Sequence, residues 1–201
     1  MTTNLAEWAL RLKWRLVAVS DERGGDPLAL AARLPAGAWL IFRHYNHPDR
    51  SVLAAKLAAI CRARRVTLLI AGDFSLAIRL RAGIHLQDRR FIPDLTRIRL
   101  CKAPLSVATH DRAGLLRAAG WGAHAALLSP IFDTFSHPGV KPLGLLGLRR
   151  LLRQARLPVV ALGGIDGDTA RGLREISIMG VAAVTALRAA GLRNQGVPGA
   201  F

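Results

Sequence analysis

Residues 158–165 read Pro158-Val159-Val160-Ala161-Leu162-Gly163-Gly164-Ile165, a short apolar run that leads straight into a pair of glycines. Further on, Gly180-Val181-Ala182-Ala183-Val184-Thr185 forms a second apolar run, which ends in a hydroxyl. Both runs are apolar throughout rather than alternating, as expected of strands covered on both faces in a parallel sheet. Glycines just past a strand bare main-chain N–H groups, and such groups at a loop or helix start hold phosphate. Two adjacent strands of this kind near the end of a chain are where a (β/α)8 barrel keeps its phosphate site. Gly163, Gly164, Val184 and Thr185 are therefore candidates for holding the phosphate of a small molecule. The plainer alternative is that the glycines only turn the chain and that Thr185 caps a helix.

The same pattern extends upstream. Strand-like runs occupy Leu16–Ser20, Trp39–Phe42, Val66–Ala71, Gly83–Leu86, Leu105–Thr109 and Ala123–Leu128, ahead of Pro158–Leu162 and Val181–Val184. Amphipathic stretches separate most of them: Asp26–Arg33, Arg50–Arg64, Phe74–Arg81, Asp111–Ala119, Leu145–Arg156, Gly167–Glu175 and Ala186–Ala190. Asp49, Asp111 and Asp166 stand where helices start. A helix over Leu5–Lys13 precedes the first strand, and only a short helix near Pro93–Arg97 fits the interval 87–104. This alternation predicts an α/β fold, a single-domain (β/α)8 TIM barrel over residues 14–190. Residues 1–13 form an N-terminal helical segment and 191–201 a flexible tail. An open doubly wound sheet is the structural alternative.

Composition narrows the function classes. Half of the 201 residues are apolar, enough for one large core. No apolar run reaches the ~18 residues of a membrane span, and the start lacks a signal-peptide pattern. Cys61 and Cys101 make neither a disulfide framework nor a metal spacing. The expectation is a cytoplasmic protein that does not bind membranes. Twenty-nine basic against thirteen acidic side chains give a formal charge of +16. The arginines sit at helix-like spacings without interleaved aromatics, which disfavours nucleic acid and fits an anionic substrate.

Read in order, the strand ends resemble the thiamine-phosphate synthase and TenI family. The segments that carry this are Gly83-Ile84-His85-Leu86, Ser129-Pro130-Ile131-Phe132-Asp133-Thr134, Pro142-Leu143-Gly144, and the two runs quoted first. The resemblance spans residues 14–190 and is more specific in the C-terminal half. It implies a role in thiamine biosynthesis: binding a thiazole phosphate and coupling it to a pyrimidine pyrophosphate with Mg2+. The TenI branch instead tautomerises the thiazole phosphate without a cofactor. The resemblance also implies a homo-oligomer.

Carried over residue by residue, the phosphate site matches and the synthase machinery matches poorly. Where the family has Gln-x-Arg-x-Lys, the chain has Ile41-Phe42-Arg43-His44-Tyr45, which leaves Arg43 to grip pyrophosphate. The metal pair Asn-Asp reads Gly72-Asp73, and the second metal aspartate aligns with Arg90, two residues from Asp88. Asp73 is thus the candidate magnesium ligand, with a helix N-cap as its alternative role. The pyrophosphate loop reads Asp133-Thr134-Phe135-Ser136-His137, so Thr134 and Ser136 remain on the pyrimidine side and a lysine has become histidine. His110 ends a strand where barrel chemistry is assembled, and it aligns with the histidine that TenI proteins use as acid and base. His85 is read as structural, and His44, Tyr45 and His47 as a polar rim. If the eroded positions abolish turnover, the +16 charge leaves a third reading, a noncatalytic phosphate-ligand sensor or polyanion-binding protein.

Overall fold

The computed structural model describes residues 5–22, 24–89, 95–134 and 139–184. Helices and strands alternate: α1 (Leu5–Arg11), β1 (Arg15–Ser20), α2 (Pro27–Arg33), β2 (Trp39–Phe42), α3 (Arg50–Ala63), β3 (Thr67–Ala71), α4 (Phe74–Leu80) and β4 (Gly83–Leu86). The second half continues with α5 (Leu95–Leu100), β5 (Leu105–Thr109), α6 (Arg112–Gly120), β6 (Ala125–Leu128), α7 (Gly144–Leu152), β7 (Val159–Leu162), α8 (Ala170–Leu173) and β8 (Gly180–Ala183). Every strand is parallel to its neighbour in chain order, and β8 pairs with β1, so the sheet is a closed barrel rather than an open one. The expected helix Ala186–Ala190, Thr185, Ser136 and the tail lie outside the described residues.

Period-two alternation divides the apolar strand residues between two cores. Leu16, Ala18, Leu40, Phe42, Leu68, Ile70 and Leu128 face outward and meet the helices. Val17, Val19, Trp39, Ile41, Leu69, Leu127 and Val160 fill the barrel itself. Burying each large aliphatic side chain in this way contributes roughly 1.5–3 kcal/mol, which is why runs apolar on both faces select this architecture. One polar pair interrupts the interior: His85 Nδ1 lies 2.8 Å from Ser106 Oγ, both buried.

The elements differ from the sequence expectation mainly at their ends. β6 starts at Ala125 because Gly122 (φ +76°) turns the chain and Ala123 N still bonds to Ala118 O of α6. Helix α7 stops at Leu152, where bonds from Gln154 N to Leu151 O and from Ala155 N to Leu152 O tighten the last turn. Helix α8 spans only four residues, since residues 166–169 are taken up by a turn. There Asp166 Oδ1 accepts from both Asp168 N and Thr169 N at 2.9 Å. Asp111 caps its helix through Gly114 N, whereas Asp49 makes no side-chain cap bond.

Part of the charge follows the topology. Lys13, Arg65, Arg81 and Lys102 each end a helix in the left-handed region, just ahead of a strand. Asp21, Asp49, Asp73, Asp111 and Asp166 instead follow strands. The four cations complement helix C-termini, and Asp73 and Asp111 cap the N-termini of α4 and α6.

Barrel closure leaves no room for a side chain at its seam. A Cβ on Gly180 would lie 2.0 Å from Arg15 O; away from the seam, one on Gly83 between β4 and β5 would likewise lie 2.6 Å from Pro104 O. Gly180→Ala is expected to destabilise the fold by about 3 kcal/mol or more, as overpacking against backbone does. Gly120→Ala, where a Cβ meets nothing within 4 Å, should instead gain up to about 1 kcal/mol of helix propensity. Urea unfolding of the two variants checks the contrast.

Candidate functional site

The inward parity of each strand, carried one step past its end, assigns eight positions to the barrel mouth: Asp21, Arg43, Asp73, Gln87, His110, Ser129, Gly164 and Val184. Sequence reasoning named five of them; Asp21, Gln87 and Ser129 it missed as site residues. In a parallel barrel the C-terminal strand ends surround a single hollow, so residues far apart in the chain meet there.

On the β1–β4 side the mouth is dominated by arginine–carboxylate pairs. Arg43 Nη2 donates to Asp21 Oδ2 at 3.0 Å. Arg50, the first residue of α3, donates through Nη1 to Asp73 Oδ2 (3.3 Å), through Nη2 to Ala71 O (2.6 Å) and through Nε to His44 O (2.6 Å). Asp88 is paired with Arg117 of α6. Arg50 escaped the sequence reading because its partners lie on β2, β3 and the turn beyond, although one signal was available. A cation in the first turn of a helix opposes the dipole, which favours a carboxylate or carbonyl partner for it elsewhere.

The polar rim read around residues 44–47 is partly corrected. His44 is buried, stacks on Phe42 at 5.0 Å between ring centroids, and has its Nδ1 3.3 Å from Ser20 Oγ. It belongs to the packing behind the mouth, because Phe42 and Ser20 both face away from the barrel interior. Tyr45 is half-exposed at the rim, and its hydroxyl accepts from Gln87 Nε2 at 3.1 Å. His47 Nδ1 accepts from Asp49 N.

The residues at Asp73 do not fit a magnesium ion. One carboxylate oxygen accepts from Leu76 N at 2.8 Å as the N-cap of α4, and the other faces Arg50. Asp88, the nearest substitute for a second carboxylate, is already tied to Arg117. Magnesium takes octahedral oxygen ligands, usually one or two carboxylates with waters and substrate phosphates, and here the carboxylate oxygens are already engaged by a main-chain N–H and by guanidinium groups. Among the described residues, no group of three or more His, Cys, Asp or Glu could hold a metal ion.

The β5–β8 side is different. His110 is exposed, and its Nδ1 lies 2.8 Å from the Ser129 carbonyl oxygen. A carbonyl only accepts, so Nδ1 carries the proton and the neutral ring keeps its lone pair on Nε2. Gly163 (φ +97°) and Gly164 (φ +61°) need glycine for a steric reason as well. Added Cβ atoms would lie 2.8 Å from Pro130 Cα and 2.3 Å from Asp133 O. The loop after β6 thus packs over the glycine pair and brings Asp133 to the end of β7. Leu162 O and Gly163 O accept from Ile131 N and Phe132 N, and Gly164 O accepts from Thr169 Oγ1. Among the described residues, the two glycine N–H groups have no acceptor. Val184 packs against the interior cluster beside them.

Below the mouth, burial holds the His85 imidazole neutral and pushes its pKa down to about 4, with the charge of Arg43 adding to the effect. His44 is likewise lowered, chiefly by burial. The unfolded chain binds the His85 proton near pH 6.5, whereas the folded chain does so only near 4. Stability present above pH 6.5 is therefore lost progressively as pH falls toward 4, by on the order of 3 kcal/mol for His85 alone. In His85→Asn this pH slope should shrink without vanishing, because His44 still contributes. Chemical denaturation at a series of pH values measures it.

Comparison with known proteins agrees with this architecture. The sequence model of a family described as thiamine monophosphate synthase matches residues 16–187. Thiamine-phosphate synthase of Chloroflexus aurantiacus is 30% identical over 186 residues, covering 88% of this chain and 86% of that protein. The enzyme of the same name from Anoxybacillus flavithermus is 30% identical over 172 residues, covering 81% and 79%. Among solved structures, thiamine phosphate pyrophosphorylase from Pyrococcus furiosus superposes with a TM-score of 0.74 at 23% identity, over 87% of each chain, a likeness of fold. With the family model spanning all eight strands and the glycine pair at the end of β7, the chain belongs to the thiamine monophosphate synthase family.

Proposed function

We propose that the barrel binds a thiazole phosphate, or a similar phosphorylated heterocycle, on its β5–β8 side and moves a proton on that ring with His110. The observation that carries this reading is the 2.8 Å contact between His110 Nδ1 and the Ser129 carbonyl. It fixes the tautomer, so that Nε2 takes a proton from the heterocycle and returns it at another ring position, with no net change in the enzyme. The phosphate would sit on the N–H groups of Gly163 and Gly164, with the hydroxyl of Thr185 completing the site. Main-chain donors suit this task because they are fixed in place before the anion arrives.

The relatives named thiamine-phosphate synthase favour a second reading, in which the same thiazole phosphate attacks a pyrimidine cation. Arg43, Thr134 and Ser136 would then face the departing pyrophosphate. That reaction develops charge on a leaving group, which metal and lysine normally meet. The pairing of Arg50 with Asp73 and of Arg117 with Asp88 speaks against it.

His110→Ala should lower metal-independent aromatisation of a thiazole phosphate tautomer by about 10²–10⁴-fold, the usual range for a lost acid–base group. Ligand affinity should be nearly unchanged. Deuterium incorporation from D2O, followed by NMR, checks the proton transfer. Pyrophosphate release that requires Mg2+ would overturn the reading in favour of coupling, and tight binding without turnover would favour a sensor. Thr185→Ala should weaken the phosphate ligand by about 1 kcal/mol, the size of one hydrogen bond, and calorimetric titration measures it.

A further inference from the structure

Three oxygen atoms converge on the guanidinium of Arg50: the His44 carbonyl at 2.6 Å, the Ala71 carbonyl at 2.6 Å and Asp73 Oδ2 at 3.3 Å. Two carbonyls and a carboxylate are the hard donors that a small divalent cation would otherwise recruit. The guanidinium carbon also lies 5.4 Å from the Phe42 ring centroid and 5.9 Å from that of Tyr45, so aromatic rings hold the cation as well. Its side chain is only 14% exposed, against 38% for Asp73. This arginine is therefore not a loose surface partner.

Gly72 belongs to the same arrangement. It adopts φ +73°, and a Cβ there would lie 2.9 Å from Tyr45 Cε1. The Tyr45 ring therefore lies over Gly72, and a side chain next to Asp73 would need both that ring to move and a strained left-handed backbone. Gln87 fixes the far end of that ring through the tyrosine hydroxyl.

We propose that Arg50 is a built-in counter-cation that takes the place of a divalent metal ion at the β2–β3 rim and excludes one from Asp73. Arginine stays charged at every accessible pH, and its planar fork holds several oxygens at once. The cation that neutralises Asp73 is then supplied by the chain itself and needs no metal. Phe42 and Tyr45 lie against the guanidinium, and Gly72 presents no side chain that could compete for a metal. The inference stands apart from the role of His110, since it concerns which cation neutralises Asp73.

The test is Mn2+ binding by the full chain, read by electron paramagnetic resonance, in the wild type and in Asp73→Asn, Arg50→Gln and Arg50→Gln/Asp73→Asn. The wild type is expected to show no Mn2+ site with a Kd below ~1 mM that depends on Asp73, so Asp73→Asn leaves its titration unchanged. Arg50→Gln should tighten Mn2+ binding by roughly tenfold or more, and the added Asp73→Asn should remove that gain. Wild-type Mn2+ binding in the micromolar range that Asp73→Asn abolishes would overturn the proposal. So would a well-folded Arg50→Gln with no gain. If Arg50→Gln does not fold, the wild-type and Asp73→Asn titrations decide the question between them.

Discussion

The pairing of β8 with β1 is the constraint on which the rest of the molecule depends. Seven parallel pairings could make an open, twisted sheet, with its ligands at a switch point in the strand order. The eighth pairing, Arg15 with Gly180 through Ala18 with Ala183, turns the sheet into a ring. Only in a ring do the ends of β1 to β8 face one another, so that Asp21 and Val184 share a hollow with His110. Closure also creates the second core. Val17, Trp39, Leu69, Leu127 and Val160 meet inside because the sheet has no edges.

Within the hollow, the two sides carry different electrostatics, and both follow from where the arginines go. On the β1–β4 side the carboxylates Asp21, Asp73 and Asp88 are each matched to a guanidinium. Removing one partner of such a pair, where it is partly desolvated, would leave a charge with a solvation deficit. That side is therefore preset rather than adaptable. On the β5–β8 side the groups presented are main-chain N–H donors and one imidazole whose tautomer is fixed by a carbonyl. Such an arrangement suits an anion bound at one end and a proton moved at the other. The strong positive charge of the chain adds a field that favours anionic ligands over the whole surface.

Much of this was legible in the sequence, for identifiable reasons. Strands covered on both faces are written as continuous apolar runs, so Trp39–Phe42, Gly83–Leu86 and Leu105–Thr109 were read to the residue. The glycine pair announced a special backbone, and both residues do have positive φ. Less visible was that the loop after β6 supplies much of the reason for glycine there, by pressing Pro130 and Asp133 against it. Closure was expected from the count of eight strand–helix units, but that count alone also admits an open sheet, and it is the pairing of β8 with β1 that makes the ring. Gly180 looked like the start of a run, not a seam against Arg15. Arg50 was read only as a helix start, since its three acceptors come from two separate stretches of chain, at the ends of β2 and β3. His44 looked polar and exposed beside Arg43, yet alternation turns it to the opposite side of β2, where Phe42 and Ser20 bury it.

The account centres on a phosphate held by the N–H groups of Gly163 and Gly164, with a heterocycle placed against His110. An 15N–1H NMR titration of the full chain with a thiazole phosphate tests this most directly. The account predicts saturable downfield shifts of the Gly163 and Gly164 amide protons, together with a change at His110 Nε2. Saturation with those resonances unmoved, and shifts gathered elsewhere on the barrel, would contradict it.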